Sequence, residues 1–211
     1  MTEEGLSTGG PSSSSAYLQS IRQRPMTSTV RPADAADAAA LAAVAAATFP
    51  LACPPHTTAE AIAAFIATKL SEAAFADYLA DPERALYLAE VDGDPAGYTM
   101  LVFGEPSDPD VAAAITVHPT AELSKVYVRA EHHGAGVSAM LMAVSLEAAR
   151  ARSVAGIWLG VNQENVRANR FYEKNGFAVV GTKKFLVGSR WEDDFVRELV
   201  FSAGVASSAS R

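Results

Sequence analysis

Residues Leu123 to Ser138 read as a strand that runs into a glycine-bearing turn and leaves it as a helix, an order that few folds accommodate. Strand character covers Leu123 to Val128, residues Arg129 to His133 connect, and Gly134 to Gly136 open a helix expected to reach about Arg152. The first amides of a helix have no partner inside it, and the positive end of the helix dipole lies there. Gly134 and Gly136 remove the side chains that would block a close approach. Such a turn suits a phosphate, and a pyrophosphate is the expected guest. A tight turn that needs two glycines for its own conformation explains the same residues without a ligand.

The flanking pattern extends the unit into a domain. A short strand, Thr27 to Arg31, is followed by a helix from Pro32 to about Thr48, which Pro50, Pro54 and Pro55 should break. Thr57 or Thr58 starts a second helix to about Leu70, and Ser71 caps a third to about Leu79. Ala85 to Val91 and Ala96 to Phe103 form a hairpin around Asp92, Gly93 and Asp94. Residues 104 to 120, with Pro106, Pro109 and Pro119, are expected to be mostly loop. Ile157 to Val161 is a strand, Asn165 to Lys174 a helix stopped by Asn175 and Gly176, and strands Phe177 to Gly181 and Phe195 to Phe201 close the sheet. Strands mixed with helices predict an α/β (α+β) domain with helices on both faces of one sheet. It should span residues 27–202, between an N-terminal tail (1–26) and a C-terminal tail (203–211) rich in Gly, Ser and Ala.

Charge and cysteine content narrow the partners. A net charge of -7 argues against nucleic acid or an anionic membrane. The longest apolar candidate, Ala38 to Phe49, is shorter than the roughly 18 residues of a membrane span. Cys53 is the single cysteine, which suits a reducing cytoplasm, and nothing beside it in sequence would activate its thiol. Adjacent His132 and His133 share no helical face and have no evident third ligand, so no metal site is expected.

Two motifs carry a resemblance. The turn places His133, Gly136 and Ser138 on the Arg/Gln-x-x-Gly-x-Gly/Ala pattern of the GNAT superfamily of N-acetyltransferases. His133 departs from that pattern by putting a titrating group where the family has a permanent charge or an amide. Downstream, Asn165, Ala168, Phe171, Tyr172, Lys174, Gly176 and Phe177 fill every position of Asn-x-x-Ala-x-x-Phe-Tyr-x-Lys-x-Gly-Phe. Together the motifs cover about residues 123 to 182. A dinucleotide pattern, Gly134-x-Gly136-x-x-Ala139, also fits, but five residues part it from its strand and no βαβαβ series follows.

The resemblance implies a GNAT fold: a central mixed, mostly antiparallel sheet of six to seven strands, splayed between its two central strands. It implies acetyl-CoA as co-substrate, no metal, and direct attack of a primary amine on the thioester. The coenzyme would meet Val126, Tyr127, Val128, His133, Gly134, Ala135, Gly136, Val137, Ser138 and Asn165. Tyr172 would return a proton to the leaving thiolate. Glu122, or second to it His118, would take the proton of the amine. Phe49, Pro50, Phe65 and Tyr78 are candidates for the acceptor pocket, and each is equally suited to the core. Residues Phe185 to Gly188 and Asp194 to Val196 resemble the polyamine-acetylating branch. Gly160 stands where the ribosomal-protein-acetylating branch carries a glutamate. The implied acceptor is a small polyamine-like or peptide amine, and homodimers are frequent in the family. An acyl-CoA-binding regulatory domain without catalysis stays open beside the enzyme reading.

Overall fold

The computed structural model describes residues 26–202, so the expected tails lie outside the described residues, apart from Met26. Strand β1 (Ser28–Pro32) is followed by a 3-10 turn (Ala35–Asp37), α1 (Ala38–Ala52), α2 (Ala59–Lys69) and α3 (Glu72–Ala80). Then come β2 (Arg84–Val91), β3 (Asp94–Phe103), α4 (Pro109–Ala114), β4 (Thr120–Val128) and α5 (Val137–Ala151). The chain ends with β5 (Gly156–Asn162), α6 (Val166–Lys174), β6 (Ala178–Val187) and β7 (Arg190–Val200). Among the described residues seven strands form one sheet in the order β1-β2-β3-β4-β5-β7-β6. Only the β4–β5 pairing is parallel.

Helices cover both faces. Leu41, Val44 and Phe49 of α1, with Leu70 and Phe75, pack on Leu86, Leu88, Tyr98 and Met100. On the other face Met142 and Ala149 of α5 and Tyr172 of α6 pack on Leu101, Leu123, Ile157 and Leu159. Thr58, Ser71 and Asn165 cap their helices as their sequence positions predict. The hairpin between β2 and β3 turns on Asp92 (φ 52°) and Gly93 (φ 92°), the paired positive dihedrals that a two-residue turn needs.

Four local expectations are corrected. Pro32 ends β1 rather than starting a helix; Asp34 caps the 3-10 turn through Ala36 N, and Asp37 is held by Arg31 at 2.7 Å. Pro50 does not stop α1, which continues to Ala52. A proline in the last turn costs one amide bond, and Thr48 anchors that turn through Val44 O at 2.8 Å. Residues 104 to 120 contain α4, with Asp108 as cap and Pro109 at the first helical position, and Val111 and Ile115 pack on Trp158 and Val196. Finally, β6 and β7 are ten and eleven residues long and form a hairpin. Their charged residues, solvated at Lys184 and Asp193 but buried at Glu192, Asp194, Arg197 and Glu198, hide the strand pattern.

Residues Ala35–Ala52 run on as one helical stretch, with mean hydropathy 1.6, long and apolar enough by composition to cross a membrane. That overturns the expectation of a shorter run, since the stretch absorbs Asp37 and Pro50. Leu41, Val44 and Ala45 are nevertheless fully buried against the sheet, which is how a core helix packs.

The feature that positions the site is a divergence. β4 and β5 pair only at Thr120–Gly156, Ala121–Ile157 and Glu122–Trp158. A bulge at Ser124, between the Leu101–Leu123 and Met100–Lys125 pairs, bends β4 where the strands part. From there to Val128 the second edge of β4 has no strand beside it.

Candidate active site

The opening between β4 and β5 is the throat of a cavity of about 380 Å³. Its walls include Glu122, Val126, Tyr127 and Val128 of β4, His133, Gly134 and Ser138 of the turn, and Asn165 and Tyr172 of α6. Nine of the twelve residues expected to hold the coenzyme or, as Tyr172 and Glu122, to move protons therefore line one space. The remaining three, Ala135, Gly136 and Val137, sit at the start of α5 outside that wall. Val137 turns its side chain into the core (1% exposed), leaving only its backbone toward the turn.

The turn has the geometry of an anion cradle. Gly134 (φ 83°) and Gly136 (φ 84°) are both left-handed, and a Cβ at either would point into open space. Among the described residues the amides of Gly136, Val137, Ser138 and Ala139 have no partner, as expected of the first turn of α5. His133 is arranged differently from the motif. Its Nε2 donates to Val128 O at 2.9 Å, and its Nδ1 accepts from Arg167 Nη1 at 2.6 Å. Arg167, absent from the sequence expectations, thus brings a permanent positive charge to the mouth. The signal was its place between the two fixed motif positions, Asn165 and Ala168.

Tyr172 reaches the cavity from α6. That helix is tied down by Asn169, whose side-chain amide donates to Asn162 O and Asn165 O, each at 3.0 Å, and accepts from Arg197 Nε at 3.0 Å. Phe171 and Phe177 pack edge-on against the Tyr172 ring, with centroids 5.5 and 5.9 Å away. The Tyr172 residue is 9% exposed, and burial pushes its phenol up to about 12. It is therefore fully protonated at neutral pH. Cys53 stands in the same wall, its thiol donating to Phe49 O at 3.4 Å, and burial pushes it up to about 11. It is inert as a nucleophile.

The candidates for proton acceptor separate. His118 does not line the cavity; it pairs at 2.6 Å with Glu105 in an exposed loop. Glu122 does line it, beside Lys125, whose ammonium burial pushes down to about 8 while Glu122 opposes the shift. Phe49 and Phe65 also line it, stacked 4.4 Å apart, whereas Pro50 and Tyr78 do not. Tyr78 donates to Lys69 O at 3.2 Å. β7 adds residues that no motif pointed to. Glu192 is held by His56 at 2.8 Å and Arg190 at 3.3 Å. Asp194 is 7% exposed and lies over Gly160, where a Cβ would meet its Oδ2 at 3.4 Å and Lys183 Cδ at 3.3 Å. A glutamate at position 160 would pack against the Lys183 stem and bring a second carboxylate beside Asp194.

The sequence matches the Acetyltransferase (GNAT) family over residues 47–177. It is 49% identical over 166 residues to an uncharacterised N-acetyltransferase of Mycobacterium tuberculosis, covering 78% of this chain and 99% of that one. It is 29% identical to an uncharacterised N-acetyltransferase of Lactobacillus delbrueckii subsp. lactis, over 65% of this chain and 76% of the other. The fold is similar to that of PaiA N-acetyltransferase from Thermoplasma acidophilum in complex with coenzyme A, with a TM-score of 0.67 and 20% identity over 83% of this chain and all (100%) of that one. It is also similar to ribosomal-protein-alanine N-acetyltransferase from Brucella melitensis, with a TM-score of 0.56 and 23% identity over 82% and 99% of the two chains.

Proposed function

Because the chain belongs to the GNAT family of acetyltransferases, we propose that it transfers the acetyl group of acetyl-CoA to a small primary amine by direct attack, with Tyr172 as general acid. The observation that carries this reading is the Tyr172 phenol, protonated and without a hydrogen-bond partner among the described residues, in the cavity where β4 and β5 part. The diphosphate of the coenzyme would sit on the free amides from Gly136 to Ala139, with Arg167 beside it. Its pantetheine arm would run along the unpaired edge of β4 at Val126 to Val128, like an added strand. Alignment of this kind supplies several kcal/mol of a barrier.

Proton return to sulfur is energetically modest here. A thiol in this wall, that of Cys53, titrates at about 11, against about 12 for Tyr172. Burial raises thiol and phenol alike in this wall, so a thiolate leaving there becomes a stronger base as Tyr172 becomes a weaker acid, and the two changes offset each other.

Calorimetry with acetyl-CoA, followed by a free-thiol release assay over a panel of amines, tests the reading. Binding together with amine-dependent thiol release is expected. Binding without release for any amine would instead indicate an acyl-CoA-binding regulatory module, and binding of NAD alone a dinucleotide protein. Gly136→Val should raise the KM for acetyl-CoA at least tenfold while leaving kcat within about threefold. It forces a branched residue into a left-handed position, at roughly 1–2 kcal/mol, and puts methyl groups where the diphosphate would lie. An unchanged KM in steady-state assays would remove the diphosphate from this turn.

A further inference from the structure

We infer that Asp194 on β7, and not Glu122, is the base that receives the acceptor's ammonium group and its proton, and that the acceptor is a monoamine carried on a compact aromatic or apolar body. The inference rests on the acetyl-transfer reading and specifies its second substrate.

The geometry separates three carboxylates around the acceptor side of the cavity. Glu192 already has two partners, the His56 ring and the Arg190 guanidinium. Glu122 has no ion pair within 4 Å among the described residues, but it is only half-buried, so its charge is less dependent on a bound cation. Asp194 is more than nine-tenths buried, lines the cavity, and makes no hydrogen bond and no ion pair within 4 Å among the described residues. Lys183, opposite it in the β6–β7 register, turns instead toward Asp108 at 3.7 Å. At Gly160 a Cβ would meet Asp194 Oδ2 at 3.4 Å and Lys183 Cδ at 3.3 Å, so the carboxylate is bordered there by the lysine stem and by no side chain from β5. A buried carboxylate without a partner is costly unless a cation completes it. Tyr127, Tyr172 and Asp194 all line the same cavity. The same cavity is lined by three aromatic rings: Phe49 stacks on Phe65, and Phe185 meets Phe65 edge-on at 5.8 Å. A buried carboxylate in a cavity with an aromatic cluster matches one ammonium on a flat apolar body. A polyamine would bring a second cation toward Lys183 and Arg190.

The protons balance. The R–NH3+ group gives one proton to the Asp194 carboxylate, and the freed amine attacks the thioester carbonyl. The C–S bond breaks as the N–C bond forms, and sulfur takes the Tyr172 proton. The surplus proton on nitrogen returns to the phenolate, and Asp194 releases its own proton to solvent. Burial, opposed by Lys183 and reinforced by Glu192 and Asp193, pushes Asp194 up to about 6. Relative to an ordinary aspartate near 4, this makes proton transfer from an ammonium about a hundredfold less unfavourable.

The test compares Asp194→Asn, Asp194→Ser and Glu122→Gln in the full chain, with 2-phenylethylamine, spermidine and an N-terminal alanine peptide as acceptors. Calorimetric binding of acetyl-CoA by all proteins is the fold check, and its absence in the wild type would fail the acetyl-transfer reading itself. The wild type should prefer 2-phenylethylamine by tenfold or more in kcat/KM, with activity rising through about pH 6 and then flat. Each Asp194 variant should lose about a hundredfold at pH 7 and climb with pH toward the amine's own pKa near 10. Glu122→Gln should keep the rise through about pH 6, whatever its effect on the rate. Lys183, Glu192 and Asp193 act on the Asp194 charge, and Asp194 acts on Tyr127; none of these neighbours is altered in these variants. An unchanged profile in the Asp194 variants, or the altered profile in Glu122→Gln, would overturn the assignment of the base. Faster turnover of spermidine or the peptide would overturn the substrate class.

Discussion

Tyr172→Phe should lower kcat by about 10²- to 10³-fold and leave the KM for acetyl-CoA nearly unchanged, as general acids contribute about 10²–10⁴. The substitution removes one hydroxyl and keeps the ring, so the edge contacts with Phe171 and Phe177 survive. The hydroxyl lies in the cavity wall and makes no hydrogen bond to another described residue, so its loss orphans no partner. The defect should therefore fall on the chemical step rather than on folding or binding. Single-turnover measurement with acetyl-CoA in excess isolates that step. The alkaline side of the profile gives a second readout. Tyr172 is needed protonated and titrates at about 12, so the wild type should show no loss from this group up to pH 10. A Phe variant with wild-type kcat would exclude proton donation by Tyr172.

Arg197→Ala should destabilise the domain by about 3 kcal/mol, because each buried acceptor left without a donor costs about 1–3 kcal/mol. Arg197 is 7% exposed; its Nε donates to Asn169 and its Nη1 to Phe177 O at 3.0 Å. Both bonds hold α6 against the sheet at its middle and at its exit. For a domain of this size the expected fall in Tm is about 6–12 °C. Arg197→Met retains most of the apolar volume and should recover less than half of the loss, since the two acceptors remain unpaired. Release of α6 should also lower kcat before it lowers stability at room temperature, because Tyr172 rides on that helix. Denaturant unfolding in parallel with turnover checks both. A variant within 0.5 kcal/mol of the wild type would mean that water replaces the guanidinium.

The elements with local signals were legible from the chain alone. Thr58, Ser71 and Asn165 each place an oxygen where a helix start needs one, and Gly134 and Gly136 take up the left-handed dihedrals that the turn requires. The motif residues of α6 and of the turn do line one cavity, with Ala135, Gly136 and Val137 at its edge. Helix α4 was hidden because its prolines read as breaks, although Asp108 and Pro109 together form a helix start. The long β6–β7 hairpin was hidden because an edge strand with one wet face carries charges where a core strand carries apolar residues.

The sequence by itself determined the family, the helix that carries Tyr172 and the turn that opens α5, because caps, glycines and residues three or four apart act over a few bonds. Only the tertiary structure decided which carboxylate stands buried and unpaired. Asp194 faces Gly160 and Lys183 because of the β5–β7 register and the bulge at Val180 between the Val179 and Gly181 pairings. Arg167 reaches His133 because α6 begins beside the mouth of the turn, 34 residues away along the chain. A one-residue slip in either register would turn Asp194 to the other face of the sheet. Strand register is fixed by long-range packing, and no local pattern in the chain encodes it.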